Sequence, residues 1–332
     1  MSLGLNELYM TLGFALSAYA IVANDSIQTL GTFIASNHQR PWWHLWLFAS
    51  GILVVVLMYS WVVHNGDPAY GRLEKFPYEP GSYGLIHIIP PVALLILTRY
   101  GMPVSTTFLI LTFFRPDNLE QMVVKSLFGY ALAFVVAIAT FWAVHKALLA
   151  LDPEERHAGE AEELRSHHTP LWSVLLTLST AFLWTQWLIQ DLANLFIYFP
   201  HHPEPLPLGW LLLGLTLMVG MQALIFREGG GEIQQIVEKK SGAGDAREAT
   251  IINLVYAGVI LFFKEYSNMP MSTTWVFLGL LAGREVSYRL AERAALGGAW
   301  RMALADLGKA TLGLAVSVAL AVGLPWVFAQ LG

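Results

Sequence analysis

The apolar residues of this chain gather into long blocks, and its polar residues into short clusters at the block ends. Near-continuous apolar runs cover residues 45–63, 126–144, 208–226 and 311–328, each close to the about 20 residues that a helix needs to cross a bilayer. These blocks predict membrane helices rather than barrel strands. Two further apolar segments, 8–23 and 171–189, run straight into polar clusters: Asn24-Asp25-Ser26-Ile27-Gln28 and Gln190-Asp191-Leu192-Ala193-Asn194. Later in each half comes a second cluster, Pro103-Val104-Ser105-Thr106-Thr107 and Pro270-Met271-Ser272-Thr273-Thr274.

The clusters keep their order and their spacing. Asp25 and Asp191 are 166 positions apart, and Ser105 and Ser272 are 167 apart. A register held to one residue across half a chain predicts an internal duplication, a common plan of secondary transporters. The expected fold is an all-α polytopic membrane protein made of two inverted-topology repeats with broken or re-entrant helices. Its parts are a first transmembrane repeat over 1–150, an acidic linker over 151–165 and a second repeat over 166–332. The breaks are expected at Asn24-Asp25-Ser26, Gly101-Met102-Pro103 and Asn268-Met269-Pro270, where helix-disfavouring residues sit at membrane depth. Such breaks survive in lipid only around a protein-enclosed cavity, so both motif pairs should meet at one internal site.

Composition supports the same solvent. Of the 332 residues 55% are hydrophobic and 13% charged, with mean hydropathy +0.53, against the roughly 25% charged of soluble domains. The net charge of −5 says little, because the acidic stretch 152–165 is read as a solvated linker. The absence of cysteine excludes disulfides and thiol chemistry. Residues 1–23 lack the basic start of a cleavable signal, so the first helix is expected to stay in the machine. The basic loops Arg227 to Arg247 and Arg284 to Arg301 should share one face, the cytoplasmic one, which requires an even number of crossings between them.

Asp25 and Asp191 have almost no basic neighbours in sequence, and a lone carboxylate in a bilayer costs several kcal/mol unless a counter-ion offsets it. A hard cation with amide and carbonyl oxygens would do so. The i, i+3 spacing sets each carboxylate and an amide on one helical face. The competing structural reading is an Asp that caps the break it sits in. Each Ser-Thr-Thr follows a proline expected in the first turn of a helix, and a half-helix N-terminus pointing inward can cradle an oxyanion. Ordinary capping or helix packing by hydroxyls is the alternative there.

An Asn-Asp-x-x-amide motif paired with Pro-Val-Ser-Thr-Thr, once per half, resembles the inorganic phosphate transporter family of sodium- or proton-coupled permeases, which includes sulfate permeases. The resemblance covers nearly the whole chain. It implies a symporter of an inorganic oxyanion, phosphate first and sulfate as the alternative, in the cell membrane and usually as a homodimer. The coupling cation, Na+ or H+, would fall on Asn24, Asp25, Gln28, Gln190, Asp191 and Asn194, and the oxyanion on Ser105, Thr106, Thr107, Ser272, Thr273 and Thr274. No catalytic residue, no further cofactor and no nucleic-acid partner is implied, only the oxyanion and the lipid bilayer. The chain departs from the family pattern Gly-Ala-Asn-Asp-Val-Ala-Asn: Val22-Ala23 precedes Asn24, Gln28 replaces the closing Asn, and Gln190 replaces the leading one of the second copy. The usual His after Ser-Thr-Thr is Phe108 in one copy and Trp275 in the other.

Other ionisable groups carry less. Lys264-Glu265 and Arg284-Glu285 read as interfacial ion pairs, His87 as a packed histidine or a proton relay, and Glu228-Gly229-Gly230-Gly231-Glu232 as a loop hinge. His157, His167, His168, His201 and His202 read as loop residues. Two readings from other classes remain: a membrane enzyme acting on lipid phosphates, and an anion sensor that binds without transport. The first would need clustered carboxylates and a basic phosphate clamp.

Overall fold

The computed structural model describes residues 4–100, 102, 104–151, 170–241, 245–291 and 295–331. The acidic stretch 152–165 lies outside the described residues, as do Gly101, Pro103, His157, His167 and His168. Among the described residues the chain is helical without a strand: α1 Leu5–Ile21, α2 Ile27–Ser36, α3 Trp42–Val63, α4 Ile89–Arg99, α5 Thr112–Phe114, α6 Leu119–Leu151, α7 Pro170–Asp191, α8 Ala193–Phe196, α9 Leu208–Arg227, α10 Gly231–Ser241, α11 Ala246–Tyr266, α12 Thr273–Ala291 and α13 Gly297–Leu331. Among the described residues seven stretches are long and apolar enough to cross a membrane, and the protein is a multi-pass membrane protein. Burial ranks them: 61% of the α11 window is buried against 22% of those of α6 and α13. Thus α11 runs through the centre, while α6 and α13 face lipid.

The expected break at Asn24-Asp25-Ser26 is a π-turn over Val22–Ser26, which joins α1 and α2 into one stretch, Leu5–Ser36. At the turn Thr29 Oγ1 donates to the Asp25 carbonyl at 2.9 Å, so this buried backbone acceptor is not left without a partner. In the second half α7 ends at Asp191 and α8 resumes at Ala193. Asn268-Met269-Pro270 is non-helical, as expected, and leads into α12.

Connections gather at two ends of the bundle. At the end where α1 starts, Tyr83 N donates to Asn6 Oδ1 at 3.0 Å, Leu206 N donates to the Gly66 carbonyl at 3.0 Å, and a His201 ring nitrogen meets the Phe76 carbonyl at 2.7 Å. The 64–88 and 197–207 connections therefore share that end. At the opposite end Arg284 Nη2 donates to Glu248 Oε2 at 2.5 Å, joining the far part of α12 to the first turn of α11. Both basic loops thus sit on one face. The crossings between them are α11 outward and α12 back, with α12 starting at the buried tip Ser272–Thr274. Arg284 is bonded to Glu248 and Glu285 to Arg289 at 2.7 Å, so the expected pairing of neighbours holds only for Lys264 and Glu265 at 3.2 Å.

Candidate functional site

The twelve residues singled out in the motifs are all buried, none more than 4% exposed, and hydrogen bonds link eight of them, Asn24, Asp25, Gln28, Thr106, Thr107, Asp191, Asn194 and Thr274, into one cluster. Asn24 Nδ2 donates to Asp25 Oδ1 at 2.8 Å and to the Val104 carbonyl at 2.8 Å, while its own oxygen accepts from Gln28 Nε2 at 2.9 Å. In the second copy Asn194 Nδ2 donates to Asp191 Oδ1 at 2.8 Å. Although the asparagine stands before the Asp in one copy and three residues after it in the other, it performs the same service. The exchange of Asn and Gln between the copies therefore conserves one amide donor per carboxylate.

The hydroxyl tips cross over. Thr106 Oγ1 donates to Asp25 Oδ2 at 2.5 Å within the first half, and Thr107 Oγ1, next in sequence, reaches Asp191 Oδ1 in the second at 3.4 Å. Thr274 Oγ1 reaches back from the second half to Asp25 Oδ1 at 3.3 Å. Asn194 Nδ2 also contacts the Thr106 and Thr107 hydroxyls at 3.1 and 3.2 Å. The two carboxylates lie within electrostatic reach of each other.

Ser105 and Ser272 act differently from the threonines. Each is the N-cap of its tip: Ser105 Oγ accepts from Phe108 N at 3.2 Å and Ser272 Oγ from Trp275 N at 3.3 Å. Pro270 lies two residues outside the helix rather than in its first turn. The capping role is real, yet each serine hydroxyl keeps its own proton for a further acceptor. Phe108 and Trp275, the residues that follow the two Ser-Thr-Thr tips, meet edge to face with ring centroids 5.5 Å apart.

Four nearby groups escaped the sequence reading. Tyr256 OH donates to the Thr273 carbonyl at 3.0 Å, and Trp187 Nε1 donates to Thr273 Oγ1 at 3.3 Å. Arg72 Nε donates to the Ile189 carbonyl at 2.8 Å, and Lys125 Nζ donates to the Ser267 and Met269 carbonyls at 2.8 and 2.6 Å. Both cations are buried. By contrast His87 is a packed ring among Tyr83, Phe113 and Phe114, and His201 is a buried loop residue.

The hydrogen-bond supply is uneven. Asp25 has donors on both oxygens, whereas Asp191 Oδ2, Asn194 Oδ1, Gln190 Oε1 and Gln28 Oε1 are buried without a partner. Buried polar atoms left so cost about 1–3 kcal/mol each. Asp191 Oδ2 and the amide oxygens of Asn194 and Gln190 are the oxygen type a hard cation takes, although Gln190 Nε2 is also left without a partner.

No family model and no curated protein matches the chain. The fold and its buried polar centre define a polytopic helical membrane architecture. The solved structure of a sodium-dependent phosphate transporter has the same fold, at a TM-score of 0.58 and 16% identity, with 98% of this chain and 99% of that chain covered.

Proposed function

We propose that the protein is a cation-coupled symporter of an inorganic oxyanion, with phosphate as cargo and Na+ as coupling ion, and that its two halves are inverted repeats. The observation that carries this reading is the use made of the threonine hydroxyls. Thr106, Thr107 and Thr274 each own one proton, and each spends it on a carboxylate or a nearby carbonyl. An oxyanion needs those same protons. A cation bound to the Asp191 side takes over the carboxylate charge, so that the hydroxyls can turn from the carboxylates to the anion. Without it, the anion would face two bare carboxylates at close range. Coupling is then a consequence of shared donors, and it is reciprocal.

We place phosphate ahead of sulfate as cargo; the partnerless oxygens Asp191 Oδ2, Asn194 Oδ1 and Gln190 Oε1 serve the cation in this reading and do not separate the two anions. The solved transporter of the same fold, named for sodium-dependent phosphate transport, adds weight. The inverted repeats are supported by the chain's direction: α1 starts at the end of the bundle where the 197–207 connection, which follows its counterpart α7, is found, so the two run in opposite senses toward their Asp motifs.

Uptake of labelled phosphate and sulfate into proteoliposomes, under an inward Na+ gradient or a proton gradient, tests the reading. Phosphate uptake driven by Na+ is the expected result. No uptake of either oxyanion under any gradient would overturn it.

A further inference from the structure

Two buried cations, Arg72 and Lys125, take no part in the site described above, yet each holds the backbone that leads into one of its motifs. Arg72 is 1% exposed, and its Nε bonds the carbonyl of Ile189, the residue before Gln190-Asp191. Lys125 is 7% exposed, and its Nζ bonds the carbonyls of Ser267 and Met269, just before Pro270-Met271-Ser272. Both cations belong to the first half, and both segments they grip to the second. Neither makes an ion pair among the described residues; their bonds there go to neutral carbonyls, and Arg72 Nη1 is buried with no partner. A buried charge without a counter-charge costs several kcal/mol.

The surroundings place the pair where the 64–88 connection abuts the 267–272 segment. The 3-10 turn Arg72–Lys75 starts from Gly71, held at φ 77° in the left-handed region, and Asp67 accepts from Ala69 N at 2.8 Å and from Gly71 N. A side chain on Gly71 would lie 3.5 Å from Asn268 Nδ2, so this loop abuts the 267–272 segment that Lys125 holds. Asn268 itself is exposed. Arg72 and Lys125 lie within electrostatic reach of each other, and Arg72 also of Asp191, Glu265 and Asp67. Burial pushes the Arg72 guanidinium down to about 10, with those carboxylates opposing the shift, so it remains charged at neutral pH.

We propose that Arg72 and Lys125 form a staging site for the oxyanion, between the Asn268 rim and the threonine tips. A guanidinium with a spare donor, beside the Lys125 Nζ donor, suits a dianionic tetrahedral oxyanion, and the bidentate fork of Arg suits its geometry. The pair offsets the repulsion that an arriving anion meets from Asp25 and Asp191. Because both cations also hold motif backbone, the anion's arrival is felt at Ile189 and Met269. This inference rests on the oxyanion-symport reading.

The test is phosphate uptake and equilibrium phosphate binding on Arg72→Gln, Arg72→Lys, Lys125→Gln and Lys125→Arg in the full-length protein. The expected result is a phosphate KM raised at least about tenfold, or 1.4 kcal/mol, in Arg72→Gln and Lys125→Gln, with the Na+ KM unchanged and partial recovery in the charge-keeping pair. A merely structural role would lower Vmax or folded yield without a KM shift, and that outcome overturns the proposal. Should Arg72→Gln fail to fold, the Lys125 pair reads the same quantity. Wild-type protein that moves no oxyanion refutes the symport reading itself, whereas wild-type transport with unchanged KM in the neutral variants refutes the staging site alone.

Discussion

Thr107 and Thr274 hold each other's hairpin by the same bond: the Thr107 hydroxyl donates to the Met271 carbonyl at 3.2 Å, and the Thr274 hydroxyl to the Val104 carbonyl at 3.3 Å. Val104 and Met271 are themselves equivalent, each directly preceding the serine of its tip. The exchange is a two-fold relation written in side chains. It means that neither tip is complete without the other, and that motion of one half alters the donors available in both.

The two carboxylates should respond oppositely to neutralisation. Asp191 Oδ2 lacks a donor, and partnerless oxygens of Gln28 and Asn194 lie in the same cluster, so an amide at 191 gains acceptors and sheds a buried charge. Asp191→Asn is expected to raise stability in Na+-free detergent by about 1–3 kcal/mol while abolishing the stabilisation by Na+. Asp25 accepts from Asn24, Thr106 and Thr274, so Asp25→Asn sets an N–H against donors and is expected to cost about 1–3 kcal/mol. Melting curves with Na+ exchanged for choline check both signs.

Capping and anion binding at Ser105 and Ser272 can be separated. Loss of a cap costs about 0.5–2 kcal/mol, so Ser105→Ala and Ser272→Ala should each lower the melting temperature modestly. If the serine proton also serves the anion, the phosphate KM rises in the same variants, whereas Ser→Asp changes the sign of the local charge and abolishes uptake. Unchanged KM in the alanine variants would reduce both serines to caps.

Small residues set the approach of α12 to α6. A Cβ at Gly279 would run into the Tyr130 carbonyl, and one at Gly283 into the Phe134 carbonyl, the close packing that small-xxx-small spacing allows in membranes. Backbone cannot yield as a side chain can. Gly279→Val and Gly283→Val are therefore expected to cost about 1–3 kcal/mol or more, seen as lost folded yield and lost uptake, while Gly258→Ala, which meets nothing within 4 Å, should leave yield intact.

His201 gives the fold a pH dependence. Its ring nitrogens meet the Phe199 carbonyl at 2.6 Å and the Phe76 carbonyl at 2.7 Å, yet burial holds its pKa below the ordinary value, with those bonds opposing. The unfolded chain protonates this histidine near about pH 6.5 while the folded one stays neutral. The unfolded state thus binds more protons as the pH falls, and stability drops from about pH 7 downward. Comparing melting profiles of wild type and His201→Asn isolates this contribution: the variant's acid-side slope should be shallower.

Much of the architecture was legible because the bilayer leaves few options. Apolar blocks became spans, and motifs repeated at fixed spacing became neighbours. The local form of each break was not legible, since Asn24-Asp25-Ser26 can terminate a helix or widen it into a π-turn, and residue type alone does not choose between them. Nor could spacing reveal that the hydroxyls cross between halves. Arg72 was hidden among Asp67, Glu74 and Lys75 in a segment that reads as a surface turn, and Lys125 looked like a lysine near a helix end reaching for the interface. Lys125 did carry a signal, for it stands inside an apolar helix with its nearest acid, Glu120, five residues away.

The central claim is that one set of threonine protons serves either the carboxylates or the anion, with the cation deciding. Calorimetric titration of phosphate into purified wild-type protein, with Na+ varied against choline at constant ionic strength, measures this directly. The expected result is a phosphate Kd at least about tenfold lower in saturating Na+, with the Na+ Kd lowered by the same factor in saturating phosphate. Phosphate binding of equal strength with and without Na+ would contradict the account.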